Sequence, residues 1–228
     1  NEEKIESALK KLLDEKKLVV IGAGQKRYLH TTAYRELSER LLDTVREFLR
    51  LNPYHLSMPF SHIQSSMYRI TDKTTFDVLF TALEKKGVLF RQGGSVVLSG
   101  YSIKLKPKEQ EYADKITGIF LEDGFSPPLE HDIQQRLGIS PVNFNNIMKA
   151  LLEQGILVRL SDKVVYHQEH LEKVKNVVVE YLKKSSGITI GELRDNLGIS
   201  RKYAQAILEY FDGVGITKRL GDRHISGR

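Results

Sequence analysis

The chain contains no cysteine. That absence removes disulfide staples, zinc ribbons and thiol nucleophiles together, and it fits a reducing compartment. No apolar run approaches the ~20 residues that a membrane-spanning helix needs. The opening residues, NEEKIESALKK, resemble neither a signal peptide nor a transit peptide, so a cytoplasmic location without membrane attachment is expected. Catalytic signatures are missing as well. No HExxH, GxSxG, Walker or paired-carboxylate pattern occurs, and the seven histidines are scattered. His167 and His170 stand three apart, but they bridge the end of a β-like run and a helix start, which is poor ground for a metal site. Neither an enzyme nor a bound cofactor is expected from these residues.

What is present is an ordinary globular composition in a chain of 228 residues, with 40% hydrophobic and 28% charged residues. That length implies two or more domains. The net charge of +6 favours a polyanionic partner, and it is unevenly spread. Residues 1–101 carry 16 basic against 12 acidic residues, and 102–170 carry 8 against 10. Residues 171–228 carry 11 against 7, so the basic excess is densest at the C-terminal end.

One pattern recurs four times: ALKKLLDEKKLV (8–19), VLFTALEKKGVL (78–89), NIMKALLEQGIL (146–157) and AILEYFDGVGIT (206–217). Aligned on Lys17, Gly87, Gly155 and Gly215, each copy places an apolar residue eight and four positions upstream, on one helix face. Glycine at the helix exit in three copies supplies a left-handed stop. Each copy ends in two short β-like runs around a turn, at 18–30, 88–100, 156–167 and 216–226. Gly22-Ala23-Gly24 and Gly93-Gly94 read as wing turns rather than phosphate loops, because no GK[ST] follows.

Upstream of three copies stand two further amphipathic helices. Three helices and a two-stranded wing make a winged helix, a helix-turn-helix variant. The fold class expected is mainly α with small β wings (α+β), a tandem array of winged helices. Its divisions are 1–32, holding only a third helix and wing, then 33–101, 102–170 and 171–228. The chain is expected to be a fragment or cleavage product, with the partial first copy packing its apolar face on the next domain. GYSIKLKPKEQ (100–110) reads as a hinge or as an extra strand through Ile103 and Leu105.

The last copy has one odd feature. Ser200 is a helix N-cap, yet Arg201 and Lys202 follow it in the first turn, where the macrodipole disfavours cations by ~0.3–1 kcal/mol each. The other copies have Glu3-Lys4, Lys73-Thr74 and Pro141-Val142 in that place. Lys218, Arg219, Arg223 and His224 add charge on the neighbouring wing. A purely structural role would be met by the third copy's choices, so the excess points to an anion outside the protein. Tyr203 stacks a base or packs in its own domain, and Gln205 or Tyr203 offers an edge or face to a base. The expected binding set is Ser200, Arg201, Lys202, Tyr203, Gln205, Lys218, Arg219, Arg223 and His224, with residues 171–228 holding most of the affinity.

The string SRKYA-x-x-x-LEYFD-x-x-G-x-T-x-R-x-GD-R over residues 200–223 closely resembles the C-terminal region of the bacterial selenocysteine-specific elongation factor family, SelB. Upstream, the resemblance rests on tandem winged helices. It implies that the last winged helix binds the selenocysteine-insertion (SECIS) hairpin of mRNA, positioning selenocysteinyl-tRNA delivery at UGA codons on the ribosome. It also implies that GTP binding belongs to domains whose motifs are absent here. A monomer is expected. A DNA-binding regulator and a protein-interaction scaffold are the other readings that the residues leave open.

Overall fold

The computed structural model describes residues 2–21 and 27–227, which fall into two compact units, 1–104 and 105–228. Gly22-Ala23-Gly24 lies outside the described residues.

In the first unit, α1 (Glu2–Asp14) leads into the hairpin of β1 (Leu18–Ile21) and β2 (Arg27–His30), paired from Leu18↔His30 to Ile21↔Arg27. There follow α2 (Thr31–Leu51), β3 (Ser57–Pro59), α3 (Phe60–Met67), α4 (Lys73–Lys85), β4 (Leu89–Gln92) and β5 (Ser95–Leu98). The apolar stripe of α2 places Leu41, Leu42, Val45 and Leu49 in a core with Ile63, Phe76, Leu79 and Phe80. Asp72 caps α4 by accepting from the Thr75 amide. The partial first copy behaves in two ways. Its hairpin leans on α2 and α4, buries Ile21 and ties Arg27 to Asp72 at 3.0 Å. Its helix α1 buries no residue, and Ile5 remains 58% exposed, contrary to the expected packing.

The second unit contains α5 (Pro107–Glu122), α6 (Glu130–Leu137), α7 (Pro141–Glu153), β6 (Leu157–Ser161) and β7 (Val164–His167). It continues through α8 (Gln168–Lys184), β8 (Ile188–Thr189), α9 (Ile190–Leu197), α10 (Arg201–Gly213), β9 (Thr217–Leu220) and β10 (Arg223–Ser226). Ile103 and Leu105 lie in no strand. Pro107 stands at the first position of α5, and the Glu109 carboxylate accepts from the Lys106 amide, so the chain turns into helix there.

Two of the wings gain a third strand that sequence alone did not show. In the second winged helix the sheet order is β3-β5-β4, and in the fourth it is β8-β10-β9. The third keeps two strands, β6-β7. At the matching place it has Pro127-Pro128, and two consecutive prolines remove two ladder donors.

Strand β7 ties the third and fourth domains together. All four of its residues are buried. Alternation sends Val165 into the third domain's core with Ile116, Phe120 and Ile147. Val164 and Tyr166 face the other way, into a core with Val174, Ile188, Ala206 and Phe211 of the fourth.

Both immediate wing-to-helix joints use a histidine as N-cap. The His30 side chain accepts from the Thr32 amide, and His167 Nδ1 accepts from the Glu169 amide at 3.2 Å. Burial pushes the His167 imidazole below its ordinary value of 6.5. The folded chain therefore binds that proton more weakly than the unfolded one. The stability this contributes is complete above the free imidazole range and is lost as pH falls through it towards the depressed folded value. The urea midpoint is expected to fall between about pH 7 and about pH 5.5, and to fall less in His167→Asn, which keeps a capping side chain without a titrating ring. Equal falls in the two chains contradict this.

Candidate nucleic-acid interface

Helix α10 forms because Ala204, Ile207, Leu208 and Phe211 recur on one face and pack in the fourth domain's core. Its polar start is left at the surface: Ser200, Arg201, Lys202 and Gln205 are exposed. The end of α9, with Gly198 in the left-handed conformation at φ 64°, turns the chain sharply into that start.

The N-terminus of α10 differs chemically from its counterparts. Asp72 and Ser140 accept hydrogen bonds from their own helices, at 3.2 and 3.4 Å respectively. Ser200 adopts cap backbone angles, φ −77° and ψ 158°, but its side chain makes no capping bond. Its hydroxyl and the first amides of α10 therefore stay available, and the first turn contains no acid. Among the described residues, no hydrogen bond or ion pair engages Arg201. Lys202 Nζ lies 4.2 Å from the Tyr203 ring centroid and is held by the ring's face. A helix N-terminus with free donors and two cations is suited to an anionic oxygen.

The other expected residues separate. Lys218 and Arg219 are exposed on β9. They pair with Ile225 and His224 respectively, so they point to opposite faces of the wing. Arg219 Nε donates to the Gly221 carbonyl at 3.1 Å, which steadies the turn. Gln205 is exposed, with its amide donating to Glu209 at 2.8 Å.

Three residues of the expected set have structural engagements instead. Arg223 Nη2 donates to the Gly187 carbonyl at 2.7 Å and to Glu192 at 3.2 Å, stapling β8 and α9 to the wing. A side chain at Gly187 would meet Arg223 Cβ and Ile225 Cγ2 at 3.2 Å, so any other residue there requires the wing to shift slightly. Glu192 is itself held below the usual carboxylate range, first by the Thr189 backbone and side-chain hydrogen bonds and then by Arg223. His224 is 1% exposed. Its Nδ1 lies 2.9 Å from Asp212 Oδ2, while Asp212 Oδ1 accepts from the Thr217 hydroxyl at 2.6 Å. Burial and this network remove His224 from any contact surface. Tyr203 donates its hydroxyl to the Pro127 carbonyl at 2.6 Å and meets the Tyr166 ring at 6.2 Å. Its ring is packed against the third domain and is not free to stack a base.

One neighbour escaped the sequence reading. Ser161, Asp162 and Lys163 at the third wing's tip border a cleft of about 360 Å3, facing Lys202, Gln205 and Glu209. The signal was the run Val164–His167, whose lack of alternation marks a strand covered on both faces.

Residues 180–226, which contain this whole helix start and wing, match the family model for "Elongation factor SelB, winged helix". The chain resembles SelB. The selenocysteine-specific elongation factor of Desulfomicrobium baculatum is 22% identical over 222 residues, covering 93% of this chain and 35% of that protein. Its Escherichia coli (strain K12) counterpart is 23% identical over 154 residues, covering 68% of this chain and 25% of that protein. This chain thus spans about a third or less of the length of the curated SelB relatives it matches. A solved structure of the mRNA-binding domain of SelB from E. coli in complex with SECIS RNA is 24% identical, with a TM-score of 0.49. It covers 54% of this chain and 98% of its own. Among the described residues no helix is long and apolar enough to cross a membrane.

Proposed function

We propose that this chain is the mRNA-binding winged-helix region of a selenocysteine-specific elongation factor, and that it grips a SECIS hairpin through its last winged helix. The observation that carries the reading is the open, uncapped and doubly cationic start of α10, set within the residues that match the SelB model. Ser200, Arg201 and Lys202 take phosphate oxygens at the helix start, and Lys218 and Arg219, on opposite faces of the edge strand β9, take phosphates that pass on either side of the wing. Gln205 meets a base edge beside them. Arg223, His224 and Tyr203 support this surface from within.

RNA suits this geometry better than duplex DNA. The deep, narrow major groove of A-form RNA refuses a whole helix, so a compact cluster serves a hairpin's backbone and splayed bases. The region binds and does not catalyse, and it needs no cofactor. GTP hydrolysis, selenocysteinyl-tRNA and the ribosome engage other parts of the family protein. The chain acts in the cytoplasm as a monomer.

The test is gel-shift competition at matched salt between a SECIS hairpin RNA and a DNA hairpin of the same sequence. The RNA is expected to compete strongly and the DNA weakly. Equal competition favours a DNA-binding regulator, and no shift with either favours a protein scaffold.

A further inference from the structure

We infer that the third winged helix is a working part of the grip, and that Tyr203 is the positioning residue through which it holds the start of α10 in place. This rests on the RNA-binding reading above and extends it from the fourth domain to the third.

The first turn of α10 is weak by its own chemistry. Ser200 gives no capping bond, and Arg201 and Lys202 oppose the helix dipole. A turn of that composition frays unless something else holds it. Tyr203, the third residue of the helix, reaches out of its own domain. Its hydroxyl donates to the carbonyl of Pro127, which lies before α6 in the third domain. Pro127 is buried, so that carbonyl has little access to water as an alternative partner. The ring meets Tyr166 of β7 edge to face and carries Lys202 Nζ over its face. One side chain therefore fixes the turn's position and orients one of its two cations. The cap stays open for a ligand because the restraint comes from the neighbouring domain.

The anchor has a rigid base. Tyr166, on the face of β7 buried against the fourth domain, donates its hydroxyl to the Phe125 carbonyl at 2.5 Å, two residues from Pro127. Burial pushes that phenol well above its ordinary value, so it remains a donor across the working pH range. Val164 and Tyr166 share a core with Ala206 and Phe211 of α10. A fragment beginning at 171 lacks both anchor and base. The expectation that 171–228 suffices is therefore replaced by one in which 105–228 is the smallest gripping body.

The test uses the full chain with Tyr203→Phe and, as a matched control, Tyr166→Phe. Each removes one hydroxyl that donates to a carbonyl, and only the first removes a bond to α10. Affinity for a SECIS hairpin RNA is measured across a salt series, with amide hydrogen exchange of residues 201–204 on the free chain. Tyr203→Phe is expected to bind roughly three- to tenfold more weakly. Its log K against log salt slope should flatten by about one contact, ~0.7–0.9. Exchange should rise at residues 203 and 204, whose amides donate to the Ser200 carbonyl at 3.1 and 3.2 Å, and not in the rest of α10. Tyr166→Phe loosens the base without cutting a bond to α10, so its slope should flatten less, even with a lower melting temperature. A Tyr203→Phe chain with unchanged affinity and slope overturns the inference, as does equal flattening in Tyr166→Phe. If the unsubstituted chain binds no hairpin RNA, the function reading falls and this one with it. Raised exchange in Tyr203→Phe would then show the anchor to be structural alone.

Discussion

Ser200→Asp is expected to raise the melting temperature of the chain while lowering its affinity for SECIS hairpin RNA by more than tenfold. The two effects have one cause. Aspartate is as good an N-cap as serine, and its carboxylate complements a dipole that Arg201 and Lys202 oppose. A new capping bond contributes ~0.5–2 kcal/mol, where the present serine makes none. The same carboxylate then occupies the place proposed for a phosphate, and like charges brought together at an interface cost several kcal/mol. Ser200→Ala separates the terms. It removes no capping bond, so it should cost less stability than the ~1 kcal/mol typical of a lost cap. Thermal melts and a binding titration at one salt concentration read both outcomes. A Ser200→Asp chain that is stabilised yet binds RNA normally would place the phosphate elsewhere.

The second large effect concerns stability rather than binding. Asp212→Ala is expected to cost about 2–5 kcal/mol of unfolding free energy in the second unit, measured by urea denaturation. Asp212 serves two buried groups at once, the Thr217 hydroxyl and His224 Nδ1, and Thr217 is 2% exposed. Removing the carboxylate strands both, at ~1–3 kcal/mol each, in a place where water has little access. Asp212→Asn should cost much less, because an amide oxygen still accepts from Thr217. RNA affinity per folded molecule should remain near that of the unsubstituted chain in both, since His224 faces the core. A small loss of stability in Asp212→Ala, or a specific loss of binding in a folded chain, contradicts this assignment.

The architecture was legible because it rests on repetition and periodicity. The stripe of Leu37, Leu41, Val45 and Leu49 specifies α2 without tertiary information, and the capping Asp72 and the glycine exits mark helix ends by local chemistry. The third strands β3 and β8 were not legible. Each has two or three residues, too few for a period, and pairs with a partner more than thirty residues away. At the site, charge placement in α10's first turn was readable against the other copies. The wing misled, because identity says nothing about which face of a strand a side chain takes. Arg223 and His224 look like contacts in a basic string. Glu192, Gly187 and Asp212 draw them inward, and only the folded register brings those groups beside them. Tyr203 was ambiguous for the same reason, since its partner, Pro127, lies 76 residues away.

The most direct measurement is the salt dependence of SECIS hairpin RNA binding by the full chain and by Arg201→Ala, with melting temperatures of the free proteins alongside. If Arg201 neutralises a phosphate, Arg201→Ala binds every hairpin more weakly, and its log K against log salt slope is shallower by about 0.7–0.9. Removing a cation from the start of α10 also relieves a dipole penalty of ~0.3–1 kcal/mol, so the variant should melt no lower than the parent. An unchanged slope, or a loss of binding that follows a loss of folding, contradicts the account.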